Sequence, residues 1–132
     1  MCERKFVLCV DGVFVNNGKV LLLKRNVEPF KGSWHVVGGH VEDDEALKDA
    51  LKREYKEETN LEIDVGDIID FRIENTHDRT KIVIVFEVSH ANGQIRLNHE
   101  NGDFRWFSET PPNSVSNYDS YLNGKKPPRN ST

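Results

Sequence analysis

Cysteine is scarce. Cys2 and Cys9 are the only two in 132 residues, seven positions apart on a probable first strand, a spacing that gives neither a disulfide framework nor a metal-ligand pair. They read as ordinary reduced residues. An excess of positive charge is also missing: 18 Lys and Arg stand against 22 Asp and Glu, a formal net charge of −4. Nucleic-acid polymers and anionic membranes select basic surfaces, so neither is an expected partner. A single nucleotide stays compatible, because a divalent ion supplies positive charge locally. No stretch approaches the ~20 apolar residues of a membrane span, and the opening Met1-Cys2-Glu3-Arg4-Lys5-Phe6 has no apolar region of signal-peptide length. The cytoplasm is the expected compartment.

What is present suits one packed core. Hydrophobic residues make up 36% and charged residues 30% of a chain whose length matches a single domain of about 100–150 residues. Residues 1–123 read as that domain and 124–132 as a loose tail. Lys5 to Val15 and Lys19 to Lys24 are rich in Val, Leu and Phe and flank Asn16-Asn17-Gly18, a hairpin signal. A loop with Pro29 and Gly32 follows, then Trp34 to Val37 leading into a turn at Gly38-Gly39. Asp43 or Asp44 reads as the cap of a helix to Thr59, with Asn60 as its left-handed stop. Leu61 to Ile73 and Lys81 to Val88 read as strands, the second apolar on both faces. Short strands at Ile95 to Leu97 and Phe104 to Phe107, and a brief helix between Val115 and Leu122, complete an α+β order.

The helix carries the chemistry. At about 100° per residue, Leu47, Ala50 and Leu51 share one side, and Lys48, Asp49, Lys52 and Lys56 the other. One turn on, the apolar stripe is continued by Glu54, Glu57 and Glu58, at i, i+3 and i+4 spacing. Two unit charges about 6 Å apart repel by roughly 0.7 kcal/mol in water and about 3 kcal/mol at an effective dielectric of 20. With the lysines on the far side, a hard divalent cation is the economical counter-charge, Mg2+ or Mn2+. A solvated acidic face is the plainer alternative. Gly38-Gly39 allows close backbone approach, as a carbonyl ligand or a phosphate contact.

Read as a unit, Gly39, Glu45 and Arg53-Glu54-Tyr55-Lys56-Glu57-Glu58-Thr59-Asn60-Leu61 resemble the Nudix box, G-x5-E-x7-R-E-U-x-E-E-x-G-U, with U a bulky apolar residue. Tyr55 stands where an aliphatic residue is usual, with its hydroxyl expected to point outward; Asn60 replaces the glycine and Val37 a proline. The resemblance implies a Nudix-type mixed β-sheet sandwich with one catalytic helix and a short C-terminal helix. It implies metal ligation by Glu54, Glu57, Glu58 and the Gly39 carbonyl, with Glu45 and Arg53 positioning loop and helix. The general base would be Glu54 or the late-loop Glu100, and Arg25 would hold a substrate phosphate.

The expected activity is metal-dependent hydrolysis of a diphosphate linkage in a nucleoside diphosphate linked to X: ADP-ribose, a nucleotide sugar or a nucleoside triphosphate. Phe30, Trp34 and Phe71 are candidate base-stacking residues or simply core; His35, His40 and His99 are left outside the site. The region of Thr76, His77 and Asp78 carries no marker that selects a substrate. A non-catalytic nucleotide-sensing module of the same fold is the alternative, disfavoured because all three carboxylates are present. An isomerase of that fold would need cysteine and acid groups that the sequence does not place. Small domains of this family are often dimers, so a homodimer is possible.

Overall fold

The computed structural model describes residues 4–122; Cys2 and the expected tail 124–132 lie outside them. The strands are β1 (Lys5–Asn16), β2 (Lys19–Arg25), β3 (Trp34–His35), β4 (Val37–His40), β5 (Glu62–Asn75), β6 (Arg79–Asn92) and β7 (Asn101–Phe107). The helices are α1 (Leu47–Thr59) and α2 (Asp119–Leu122). β1 runs through two arms of one mixed sheet. Its residues 5–14 lie parallel to β6 and 9–12 antiparallel to β4, while Val15 and Asn16 pair with β2, which β3 and β7 flank. The hairpin turn at Asn17 (φ 53°) and Gly18 (φ 74°) takes the left-handed conformations that those residue types tolerate.

Alternation along the strands divides the interior into two cores. Val10 and Phe14 of β1, Leu21 and Leu23 of β2, and Phe86 and Val88 of β6 pack with Ala50, Leu51 and Tyr55 of α1. Cys9, Val13, Val20, Leu22, Val83 and Val85 face the other way, towards Trp34, Val36 and Tyr118. β6 is thus apolar on both faces because both are covered. The result is a mixed α+β sandwich with α1 on one side of the sheet and the segment around α2 on the other. Among the described residues no helix is long and apolar enough to cross a membrane.

Several expectations are corrected. Gly38 and Gly39 form strand, paired with Asp11 and Val10, and not a turn. α1 starts at Leu47 behind an extended Ala46 that makes no side-chain cap. Asp43 and Asp44 do not cap it: Asp44 is left-handed (φ 63°), and the preceding turn is closed by Glu45 N–H to Glu42 O and Glu42 N–H to Glu45 Oε1. Ile95 to Leu97 is no strand: Arg96 N–H is tied to Thr59 O at the end of α1, and Ile95 and Leu97 pack against the first core. α2 is shorter than read, since the Thr110 hydroxyl accepts from Tyr118 N–H and holds the approach irregular. Tyr55 is wholly buried with its hydroxyl inward, donating to Gly12 O at 2.9 Å. Asn60 stops α1 as expected, at φ 68°.

Candidate active site

The site is assembled where α1 meets the edge strand β4. Successive strand residues face opposite sides. A methyl group on Gly39 would overlap the Glu54 carboxylate, and one on Gly38 would overlap Asp11 and the backbone of Val10. Both glycines are therefore required by close approach.

Arg53 is the clamp. Its Nε and Nη2 donate to the two oxygens of Glu45, at 2.8 and 3.1 Å, and Nη2 also donates to the His40 carbonyl at 3.0 Å. Nη1 reaches Glu54 Oε2 at 3.2 Å and Glu57 Oε2 at 3.4 Å. One guanidinium thus joins the strand end, the 42–45 turn and the helix. The bidentate partner holds Glu45 below the usual carboxylate range, and Glu45 in turn raises Arg53 further.

The three helix carboxylates are not equivalent. Glu57 is more than half exposed and leans on Arg53. Glu54 is largely covered, and burial raises its pKa against the pull of Arg53. Glu58 is 8% exposed and has no basic partner among the described residues. Burial above all, then the charge of Glu54, pushes Glu58 up to about 8, opposed by the amide of Asn101, whose Nδ2 donates to Oε1 at 3.2 Å. Glu54 and Glu58 share a hydrogen bond, so one proton bridges two carboxylates. The counter-charge that the sequence reading sought for Glu54 and Glu57 is supplied in part by Arg53, which the placement of the lysines did not reveal.

Among the described residues no three His, Cys, Asp or Glu side chains form a ready-made metal cage. The donor chemistry nevertheless fits a hard divalent ion, because magnesium is commonly held by one or two carboxylates and keeps its waters. Glu54 and Glu58 are two oxygen donors in contact, sharing a proton that such an ion would replace.

Glu100 lies close enough for its charge to raise Glu58, and its carbonyl accepts from Asn26 N–H at 2.7 Å. Arg25 is directed by its Nε to the Pro29 carbonyl, at 2.7 Å. His35 bonds the Val36 carbonyl and Asn101 Oδ1. Asn101 is the residue that the sequence did not single out: it is buried and links His35 to Glu58. Its only signal was a place among the polar residues after Asn98.

Comparison with known proteins identifies relatives of the chain. The NUDIX domain family matches residues 5–118. The chain is 33% identical over 104 residues to an ADP-ribose pyrophosphatase of Methanocaldococcus jannaschii, covering 76% of this chain but only 60% of that protein. It is 34% identical over 119 residues to nucleoside triphosphatase NudI of Escherichia fergusonii, covering 79% and 81%. Among solved structures it is similar to a MutT protein from Methanosarcina mazei, with 31% identity, TM-score 0.71 and coverage of 82% and 80%. The E. coli ORF135 protein gives 26%, 0.72 and 80% and 75%.

Proposed function

The chain belongs to the Nudix family of hydrolases, enzymes of phosphoanhydride bonds, and on that premise we propose that it hydrolyses a nucleoside diphosphate linked to X, with Mg2+ or Mn2+. ADP-ribose, nucleotide sugars and nucleoside triphosphates are the candidates, as relatives bear the names ADP-ribose pyrophosphatase and nucleoside triphosphatase. The observation that carries the reading is the contact of Glu54 with Glu58 beside Gly39, with no basic partner for Glu58 among the described residues.

Glu54, Glu57, Glu58 and the Gly39 carbonyl would hold the ion, which when bound neutralises charge on the bridging and terminal phosphate oxygens and acidifies water. Arg53, through Glu45 and the His40 carbonyl, fixes the helix against β4, so these donors are positioned before substrate arrives. Water attacks one phosphorus in line, the bond from that phosphorus to the bridging oxygen breaks, and the proton passes to a carboxylate. Glu100 is favoured as that base, since Glu54 is already engaged with Arg53 and Glu58. Arg25 has guanidinium nitrogens beyond its Pro29 contact with which to take a phosphate oxygen.

The experiment is a panel of nucleotide diphosphates with each metal, products identified by mass. Hydrolysis at a phosphoanhydride bond is expected, reduced on the order of a hundredfold in Glu57→Gln, which removes a charge while keeping shape. Near-parental turnover of Glu57→Gln at saturating magnesium would sink the ligand assignment.

A further inference from the structure

A chain of polar groups runs from β3 to the first residue of β7 and ends on Glu58. It starts at the Val36 carbonyl, 2.8 Å from His35 Nδ1. His35 Nε2 lies 2.9 Å from Asn101 Oδ1, and Asn101 Nδ2 donates to Glu58 Oε1 at 3.2 Å. β2 separates the two strands, so the ring reaches across it to the amide. The chain is wholly tertiary: His35 and Asn101 are 66 positions apart, and Asn101 and Glu58 are 43. Asn101 and Glu58 are buried and His35 is half-buried, which leaves water little room to replace any of these contacts.

The surroundings decide which end of the Asn101 amide meets Glu58. Nδ2 also faces Asn98 Oδ1, at 3.4 Å, and Asn98 Oδ1 accepts from Glu100 N–H at 3.1 Å, which fixes that atom as an oxygen. A carboxylate and an amide oxygen on one side call for the nitrogen of Asn101 there, since only the nitrogen donates. Asn101 Oδ1 is thereby turned to His35, where it needs a donor. A ring with its proton on Nδ1 alone would set two acceptors face to face. The network therefore requires a proton on His35 Nε2.

We propose that His35 and Asn101 are positioning residues for the proposed metal ligand Glu58: the ring holds the amide, and the amide holds the carboxylate in the orientation that meets the ion. Groups that orient a metal ligand in this way carry about 10–100-fold in metal affinity or activity. Without the ring, the amide is free to turn its oxygen to Glu58, acceptor against acceptor, and the carboxylate loses its buried donor. Neither residue touches the reacting atoms. The proposal rests on the metal-site reading above, and its test keeps the two apart.

Manganese binding is measured by titration calorimetry in the parent, Glu58→Gln, His35→Leu, His35→Gln, Asn101→Ala and the variant with His35→Leu and Asn101→Ala together. His35→Leu, which keeps bulk but has no donor, is expected to weaken binding about tenfold, and Asn101→Ala at least as much. His35→Gln, whose amide can donate to the same oxygen, is expected to return binding to within about threefold of the parent. Once Asn101 is alanine, His35→Leu should change the affinity by less than about twofold, because the ring acts only through the amide. Nitrogen NMR of the parent ring gives a reading that needs no variant to fold: the proton is expected on Nε2, and a ring protonated on Nδ1 alone overturns the arrangement. His35→Leu binding manganese as the parent does, while Glu58→Gln has lost it, overturns the positioning role and leaves the metal site standing. The same holds for a His35→Leu loss that is undiminished in the Asn101→Ala background. Parental binding in Glu58→Gln removes the metal-site reading, and this proposal with it.

Discussion

The two sides of β4 each bury carboxylates, and they treat them differently. On the side away from α1 Asp11 has a permanent partner in Arg72 at 2.9 Å, and although burial still raises its pKa, the pair is complete within the protein. On the helix side, among the described residues, Glu58 meets the Asn101 amide and the charges of Glu54 and Glu100, and no cation. A buried charge without a partner is costly and usually neutralises itself, as Glu58 does by keeping a proton up to a pH of about 8. The proposed cation site on the helix side rests on that difference.

The largest effects should come from that side. A general base contributes about 10²–10⁴ in rate. Glu100→Gln is expected to lower turnover by at least ~10² while manganese affinity is kept, and Glu54→Gln to lower both. Asp11→Asn, across the strand, should leave manganese affinity unchanged. Manganese titration beside turnover for each variant decides it: a Glu100→Gln enzyme working at the parental rate makes the loop glutamate ordinary surface and passes the role to Glu54.

The contrast itself was only half legible in the sequence. Helical spacing placed Glu54 and Glu58 together on the inward face, and Asn60 and Asn17-Gly18 could be read as stop and turn because their conformations are local. Periodicity fixes a side chain's direction around the helix, but not what comes to meet it. Glu57 lies further round the helix than the stripe suggested, in solvent against Arg53. Tyr55 turned its hydroxyl inward because β1 offers the Gly12 carbonyl there. Gly38-Gly39 looked like a turn, since glycine pairs mark turns far more readily than a strand squeezed between two carboxylates. Asn101 meets Glu58 across 43 positions, and Arg72 meets Asp11 across 61; no spacing rule reaches that far.

A smaller but opposite pair of effects on stability sharpens the comparison. Removing the partner of a buried charge is destabilising by about 3–5 kcal/mol when fully buried; Arg72 is a third exposed, so Arg72→Met is expected to cost the lower end, about 3 kcal/mol. Denaturant unfolding at neutral pH measures it, and magnesium should not restore the loss. A cost under about 1 kcal/mol would mean that Asp11 needs no partner and that the two sides of β4 are alike.

On the helix side the sign reverses. Glu58 has a folded pKa raised from 4.5 to about 8, so between those values the folded state holds a proton that the unfolded chain has released. Stability without metal therefore falls as pH rises through that window, the opposite of an acid held by a salt bridge. At about 1.4 kcal/mol per pKa unit the upper bound is roughly 4 kcal/mol at pH 8; sharing the proton with Glu54 and relaxation of the site reduce this to an expected ~2 kcal/mol. Glu58→Gln imitates the protonated acid: its oxygen still accepts from Asn101 and its amide still donates to Glu54. The variant should match the parent near pH 5 and exceed it by ~2 kcal/mol at pH 8 without metal. Magnesium at pH 8 should close that gap by stabilising the parent alone, since binding to the folded state adds stability. Thermal unfolding of both proteins at the two pH values, with and without magnesium, gives the four numbers. A Glu58→Gln protein less stable than the parent at pH 8 without metal would show that a cation within the chain already serves Glu58.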